Sequence, residues 1–379
     1  MAILLPSELV LDILKLIQYD EDGTLDYHGL RNYALVCKRW VWEAQRVLFR
    51  HAVLRKWTDV VSFQTALVRS TEKGRYISNA VRSITIRVED SLPENVSQDD
   101  FAQTLLLCPH IHRLNIDLFI PSFEPTTLAL LRNITSLTAL DISSYRQTRV
   151  IYQLLDAFRT IEYLHVASPS HDVPSLLLPL RSKLPNLRWL RVGEGASALL
   201  PKILHVSGSK FEILELSSPL PDPLFATVLH TYGPNLRSLR VPEAGTFALN
   251  HCRNLVEFRC DTISSGAMLR ALPTTIRHLE FTATGLAIQL VLHHIWNSCP
   301  PNLRVVTCRV EYRDEYHSGL CTLNDRCVSK GIELRCHGPY QKNDETSRLL
   351  NISHYSHAPR RPKPLASNRP RQWATPFDT

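Results

Sequence analysis

The stretch Pro185-Asn186-Leu187-Arg188-Trp189-Leu190-Arg191-Val192 carries the reading that decides the fold. Within it, Leu187–Val192 has apolar residues at its first, fourth and sixth places, and the chain repeats that phrase along most of its length. Upstream lie Val81–Ile86, Ile111–Ile116, Leu137–Ile142 and Ile161–Val166; downstream lie Phe211–Leu216 and Leu236–Val241. Weaker copies run over Leu255–Cys260, Ile276–Phe281 and Leu303–Cys308, and Ile332–Cys336 closes the series. The fourth places at Leu114, Leu140, Leu164, Leu190, Leu214 and Leu239 are 24 to 26 residues apart. Such a period points to stacked repeats.

Helix-like runs separate the phrases: Val173–Leu184, Asp222–Tyr232 and Leu286–Ser298. Their exits repeat as well, as Pro185-Asn186-Leu187-Arg188, Pro234-Asn235-Leu236-Arg237 and Pro301-Asn302-Leu303-Arg304. Proline stops a helix and biases its neighbour toward an extended shape, so each exit delivers the chain into a strand. Strand, crossover helix and parallel strand is the chemically sensible unit. One unit buries about six apolar side chains at roughly 1.5–3 kcal/mol each, whereas ordering its backbone costs about 1–2 kcal/mol per residue. No unit folds alone, and neighbours must share a core.

Residues 80–337 resemble leucine-rich-repeat proteins in this phrase and its period. The resemblance implies an α/β fold: an irregular solenoid of parallel strands and helices, shaped as a horseshoe. After the last apolar place, where the family's pattern has Asn or Cys, this chain holds Gly195, Pro219, Ala244 and Thr284. Spacing also becomes uneven after residue 241, which leaves the register open in the last third. A doubly wound α/β domain is the alternative.

In a solenoid the residues flanking each fourth place point to the concave face. That face would display Arg113 with Asn115, Ala139 with Asp141, Tyr163 with His165, and Trp189 with Arg191, then Ile213 with Glu215 and Ser238 with Arg240. Glu257 with Arg259, His278 with Glu280 and Val305 with Thr307 complete it. Four Arg face four acids, so the surface is formally neutral. A phosphate-tracking groove needs clustered basic charge, so nucleic acid is not the expected partner. A mixed protein-binding face is, with Tyr163, Trp189 and Arg191 as candidate anchors.

The N-terminus carries a second pattern. Pro6 suits the first turn of a helix, Glu8 lies near the positive end of its dipole, and Leu9, Val10, Ile13, Leu14, Leu16 and Ile17 follow. That apolar stripe is too wide for a solitary surface helix. Further helical stretches cover Leu30–Cys37 and Trp40–Phe49. Leu5-Pro6-x-Glu8-Leu9-x-x-x-Ile13-Leu14, then Val36-Cys37-Lys38-Arg39-Trp40 and Val47-Leu48-Phe49, resemble an F-box domain over residues 3–50. The resemblance implies a Skp-type adaptor partner and, through it, the cullin of a ubiquitin ligase. Leu5, Pro6, Leu9, Ile13, Val36, Cys37 and Trp40 would then face the adaptor. The acidic stretch from Tyr19 to Gly29 is longer than the family's usual first loop. Alternatively, these helices dock on the chain's own repeats.

The expected organisation is a helical module at 1–55, a helical linker at 56–79, the repeats at 80–337 and a disordered basic, proline-rich tail at 338–379. That tail holds seven Lys/Arg, three Asp/Glu and six Pro, and so contributes much of the net charge of +7. Nine cysteines form no C-x-x-C pair, and no secretory signal is visible, so a reducing cytoplasmic or nuclear compartment is expected. Cys260, Cys308 and Cys336 occupy the repeat's sixth place and read as small core hydrophobes. Cys321, Cys327, His317 and His337 lack zinc-site spacing, and no metal or cofactor is expected. No apolar run approaches the roughly 20 residues of a membrane helix. There is no G-x-S-x-G elbow, Walker loop, H-E-x-x-H or G-x-G-x-x-G. The sequence reads as a non-enzyme.

Overall fold

The computed structural model describes residues 6–17, 26–36, 38–68, 70–145, 148–167, 183–243, 249–310 and 317–337. Leu5, Cys37, the acidic stretch before Asp26, most of Val173–Leu184 and the tail lie outside them.

Twelve strands form one sheet. They are β1 (His51–Leu54), β2 (Ser83–Val88), β3 (Arg113–Leu118), β4 (Ala139–Ser144), β5 (Tyr163–Ala167) and β6 (Trp189–Val192), followed by β7 (Ile213–Leu216), β8 (Ser238–Glu243), β9 (Glu257–Thr262), β10 (His278–Thr282), β11 (Val305–Arg309) and β12 (Glu333–His337). The first helices are α1 (Ser7–Ile17), α2 (Tyr27–Ala34), α3 (Lys38–Leu48), α4 (Trp57–Ala66) and α5 (Glu72–Ala80). Between the strands run α6 (Gln98–Leu106), α7 (Pro125–Leu131), α8 (Thr148–Ala157), α9 (Leu200–Val206) and α10 (Asp222–Tyr232). The last are α11 (Gly266–Arg270), α12 (Gly285–Ser298) and α13 (His317–Ser329).

Every strand pair is parallel, and spatial order equals chain order from β1 to β12. A doubly wound sheet reverses its strand order at a switch point; this sheet never does. The fold is an α/β solenoid. The repeat phrase also keeps its register throughout. Leu239 pairs with Phe258, Phe258 with Leu279, Leu279 with Val306 and Val306 with Leu334, so the uneven spacing after residue 241 is absorbed between strands.

Successive strand residues point to opposite faces. First, fourth and sixth places such as Leu187, Leu190 and Val192 enter one continuous core, shared with Phe101, Leu155, Leu229 and Val291 from the helices. The helices therefore cover one face and leave the other open. Local signals place them: the Ser97 and Thr284 hydroxyls accept from the Asp100 and Ala287 N–H groups at the starts of α6 and α12, satisfying otherwise orphaned donors. After α13, Gly331 takes φ 69°, with Gly331 N donating to Val328 O at 3.0 Å and Ile332 N to Cys327 O at 2.8 Å. That Schellman closure favours glycine and turns the chain into β12.

The sheet begins earlier than the repeat phrase suggests. His51–Leu54, read above as the end of the helical module, pairs with Ser83–Ile86. Residues 56–79, read as a linker, supply Val60, Phe63, Leu67 and Ile77 to the solenoid core. Four strand residues are too short a pattern to be recognised without their neighbour. Ahead of them the N-terminal module keeps a small core of its own, formed by Val10, Leu14, Leu30, Ala44 and Val47.

Candidate partner-binding surfaces

The first surface lies on the N-terminal module. Helix α1 turns Val10 and Leu14 inward, which leaves Leu9 49% and Ile13 37% exposed. After α2, Leu35 and Val36 are 83% and 61% exposed. These are large apolar side chains that the described residues cover only in part, and sequence reasoning missed Leu35. Pro6 is exposed beside them. Trp40 differs: it is half-buried, packs on the module core and meets the Tyr33 ring at 6.2 Å. Of the seven residues expected to face an adaptor, the described ones thus divide into outward Pro6, Leu9, Ile13 and Val36, and a largely inward Trp40.

The second surface is the helix-free face of the sheet, where the expectation of displayed anchors needs correction. Tyr163 and Trp189 are only 2% and 7% exposed, and with Ala139 and Ile213 they form a separate apolar row. The reason is register. Tyr163 pairs with Trp189 and Trp189 with Ile213, so consecutive rungs about 4.8 Å apart cover each other. The two rings meet edge to face, with centroids at 5.0 Å and planes at 83°. Arg191 is about one-quarter exposed, and its Nε lies 3.9 Å from a Glu215 carboxylate oxygen.

Beside that row the charges neutralise one another. Asp141 accepts from His165 at 2.7 Å and lies 3.6 Å from Arg113. Burial alone would raise its pKa, but the His165 hydrogen bond and the His165, Arg113 and Arg191 charges outweigh it, so the carboxyl is held below its usual range. Farther along, Glu257 takes hydrogen bonds from Arg259, His278 and Ser238 at 2.8 Å each. Burial opposes its ionisation, but Arg259 and His278 prevail and hold its pKa low. Arg259 and Arg309 both approach Glu280 at 3.4 Å, and Arg309 also pairs with Asp261. The formal neutrality seen in the sequence is therefore a ladder of internal ion pairs. Such a centre offers little unsatisfied charge to a partner.

The C-terminal ends of the early strands are more open. Tyr145 is 46% exposed and stacks on Phe119, with centroids at 4.5 Å and planes at 11°. The Arg87 guanidinium lies 4.1 Å from the Phe119 ring centroid. A solvent-facing Arg–aromatic stack has the chemistry of an interface anchor. Sequence reading missed it because these residues lie just past the repeat phrase, where no periodicity marks them.

No catalytic arrangement stands out among the described residues. They also hold no group of three or more His, Cys, Asp or Glu placed to bind a metal, and no helix long and apolar enough to cross a membrane.

No family model matches this sequence, and no curated protein matches it. Among solved structures, it is similar to an internalin (inlF) from Listeria monocytogenes, with TM-score 0.36 and 10% identity over 75% of each chain. It is also similar to the TLR13–ssRNA13 complex, with TM-score 0.34 and 14% identity over 64% of this chain and 35% of that one. The solenoid assignment itself stands on strand order and register.

Proposed function

We propose that this chain is the substrate-recognition subunit of a Skp-cullin-F-box ubiquitin ligase. One observation carries the reading: where the sequence resembles an F-box, Leu9, Ile13 and Val36 stay partly exposed on a module with its own small core. Each such side chain forgoes roughly 0.5–2 kcal/mol, the exposed share of its full burial, that a docked adaptor would recover. The repeats would hold a target protein, with Arg87, Phe119 and Tyr145 as candidate contacts. The chain's contribution to ubiquitin transfer is proximity: it raises the target's effective concentration and supplies no acid, base or nucleophile.

Co-expression with a Skp-type adaptor tests this. The parent is expected to co-purify stoichiometrically and Leu9→Asp to lose the complex while remaining folded, since position 9 is half-exposed. Equal adaptor binding by both, or by neither, sinks the proposal. Trp40→Ala is a poorer probe because it also removes packing inside the module.

A second reading, a scaffold outside any ligase whose N-terminal helices cap the solenoid, is favoured by one feature. Trp42 of α3 meets Tyr76 of α5 edge to face at 5.3 Å, and β1 follows α3 directly. Solenoids need such terminal cover. Under this reading, removing the helices collapses the repeats.

A further inference from the structure

Where the N-terminal module meets the first turn of the solenoid there is a cavity of about 190 Å³, lined by Leu11, Arg46, Val47, Arg50, Ala80 and Arg82. Among the described residues, its only charged lining residues are three arginines, brought from separate places. Arg46 comes from α3, Arg50 from the turn before β1, and Arg82 from the join between α5 and β2.

The guanidiniums are incompletely neutralised. Glu43 lies 3.9 Å from Arg46. The C-terminal end of α3 adds about half a negative charge. Together these offset about half of the positive charge. Among the described residues, the Arg50 side chain has no hydrogen-bond or ion-pair partner. Arg82 is oriented by its own backbone: Nη1 donates to the carbonyls of Asn79 at 2.6 Å and Val81 at 3.0 Å, and its other donors have no partner among the described residues.

Two titratable groups register this positive field. Burial, then Arg50 and Arg46, lowers the Arg82 pKa. Burial, then Arg50 and Arg113, lowers His51 to about 4. Converging arginines suit a carboxylate or phosphate, because the planar guanidinium fork pairs with their oxygens in bidentate fashion. Here the described lining residues supply no carboxylate.

We propose that this cavity is a binding site for a phosphate dianion, held by Arg46, Arg50 and Arg82. The volume fits one tetrahedral anion with a small alcohol attached, so the ligand class is free phosphate or a small phosphate monoester. Bound there, the anion bridges α3 to the start of β2 and ties the module to the repeats.

The test is calorimetric titration of the full chain at fixed ionic strength, with inorganic phosphate, glycerol 3-phosphate and chloride as probes. Saturable phosphate binding is expected, weakened at least tenfold in Arg50→Gln, a substitution at an exposed position that leaves both cores intact. Thermal unfolding provides a second measurement: phosphate should raise the parent's midpoint more than chloride does, and the increment should vanish in Arg50→Gln. Glycerol 3-phosphate binding as tightly as phosphate assigns the site to a monoester; phosphate alone assigns it to the bare anion. No saturable binding, or equal binding and equal midpoint shifts in parent and Arg50→Gln, overturns the proposal.

Discussion

Cys308 and Cys336 face each other in register across the last two strands, one buried and the other exposed. The hydrogen bond from Cys308, working against partial burial, lowers Cys336 to about 7. Burial pushes Cys252 up to about 12 and Cys327 to about 11. Brief alkylation at pH 7, read by peptide mass spectrometry, should therefore label Cys336 well ahead of those two. Cys308→Ala should slow that labelling roughly tenfold as the thiol returns toward about 8.5; an unchanged rate would show that the neighbouring thiol is not the cause. His51 offers a test of opposite character. Burial, reinforced by Arg50 and Arg113, lowers it from 6.5 to about 4, so between these values the unfolded chain binds more protons than the folded one. Its contribution to stability is complete above about pH 6.5 and is lost as pH falls toward 4. The loss is at most about 3 kcal/mol. Urea midpoints measured across that window should fall less steeply in His51→Gln than in the parent.

Among elements, β1 decides how the N-terminus is joined to the repeats. It pairs with β2 along its whole length, and Arg82 N and Ser83 N both donate to Arg50 O. Deleting residues 1–49 should leave a folded solenoid if the module is an independent docking unit. Deleting 1–55 removes a strand, uncovers Ile84 and Ile86, and should cause aggregation under either functional reading. Circular dichroism and size-exclusion profiles of the two truncations separate these cases, and collapse of the shorter deletion would favour the capping scaffold. Within a central repeat, Leu190→Ala empties a fully buried position and is expected to cost about 2–5 kcal/mol in denaturant unfolding. The same experiment on exposed Leu35→Ala should read near zero without a partner.

At the scale of the whole molecule, a twelve-strand parallel stack in chain order makes contacts chiefly between neighbours. Stability then sums repeat and interface contributions and is highest in the interior. Hydrogen exchange should be slowest in β4 to β8 and fastest in β12, whose terminal residues are largely exposed. Uniform protection from end to end would argue against repeat-wise stability. The internal ion pairs of the helix-free face have a further consequence. Glu257→Gln leaves buried Arg259 and His278 without their shared carboxylate, and loss of one partner of a buried pair costs about 3–5 kcal/mol. Removal of Tyr145, on the open rim, should cost only about 0.5–1.5 kcal/mol, the worth of its stack on Phe119, and act chiefly on a bound target.

Local pattern and tertiary structure divide the explanation. The first, fourth and sixth apolar places from Val81–Ile86 to Leu303–Cys308, read by periodicity alone, are the buried rows of the sheet, because strand alternation is a property of the backbone and needs no tertiary information. At the end of the stack Cys336, read as a core residue, is exposed because no further repeat among the described residues covers it. Asp222–Tyr232 is a helix with the boundaries its prolines and apolar spacing imply. Four things depended on contacts between distant residues. The strand His51–Leu54 exists because Ser83–Ile86 lies beside it. Tyr163 and Trp189 are hidden because parallel register places one on the next, and the charges of the helix-free face are matched across strands by residues 21 to 48 apart. The arginines at 46, 50 and 82 meet only when the module packs on the first repeat. Sequence determined which side each strand buries; tertiary structure decided which of the remaining side chains are free to meet a partner, since exposure depends on neighbours that the chain supplies from far away.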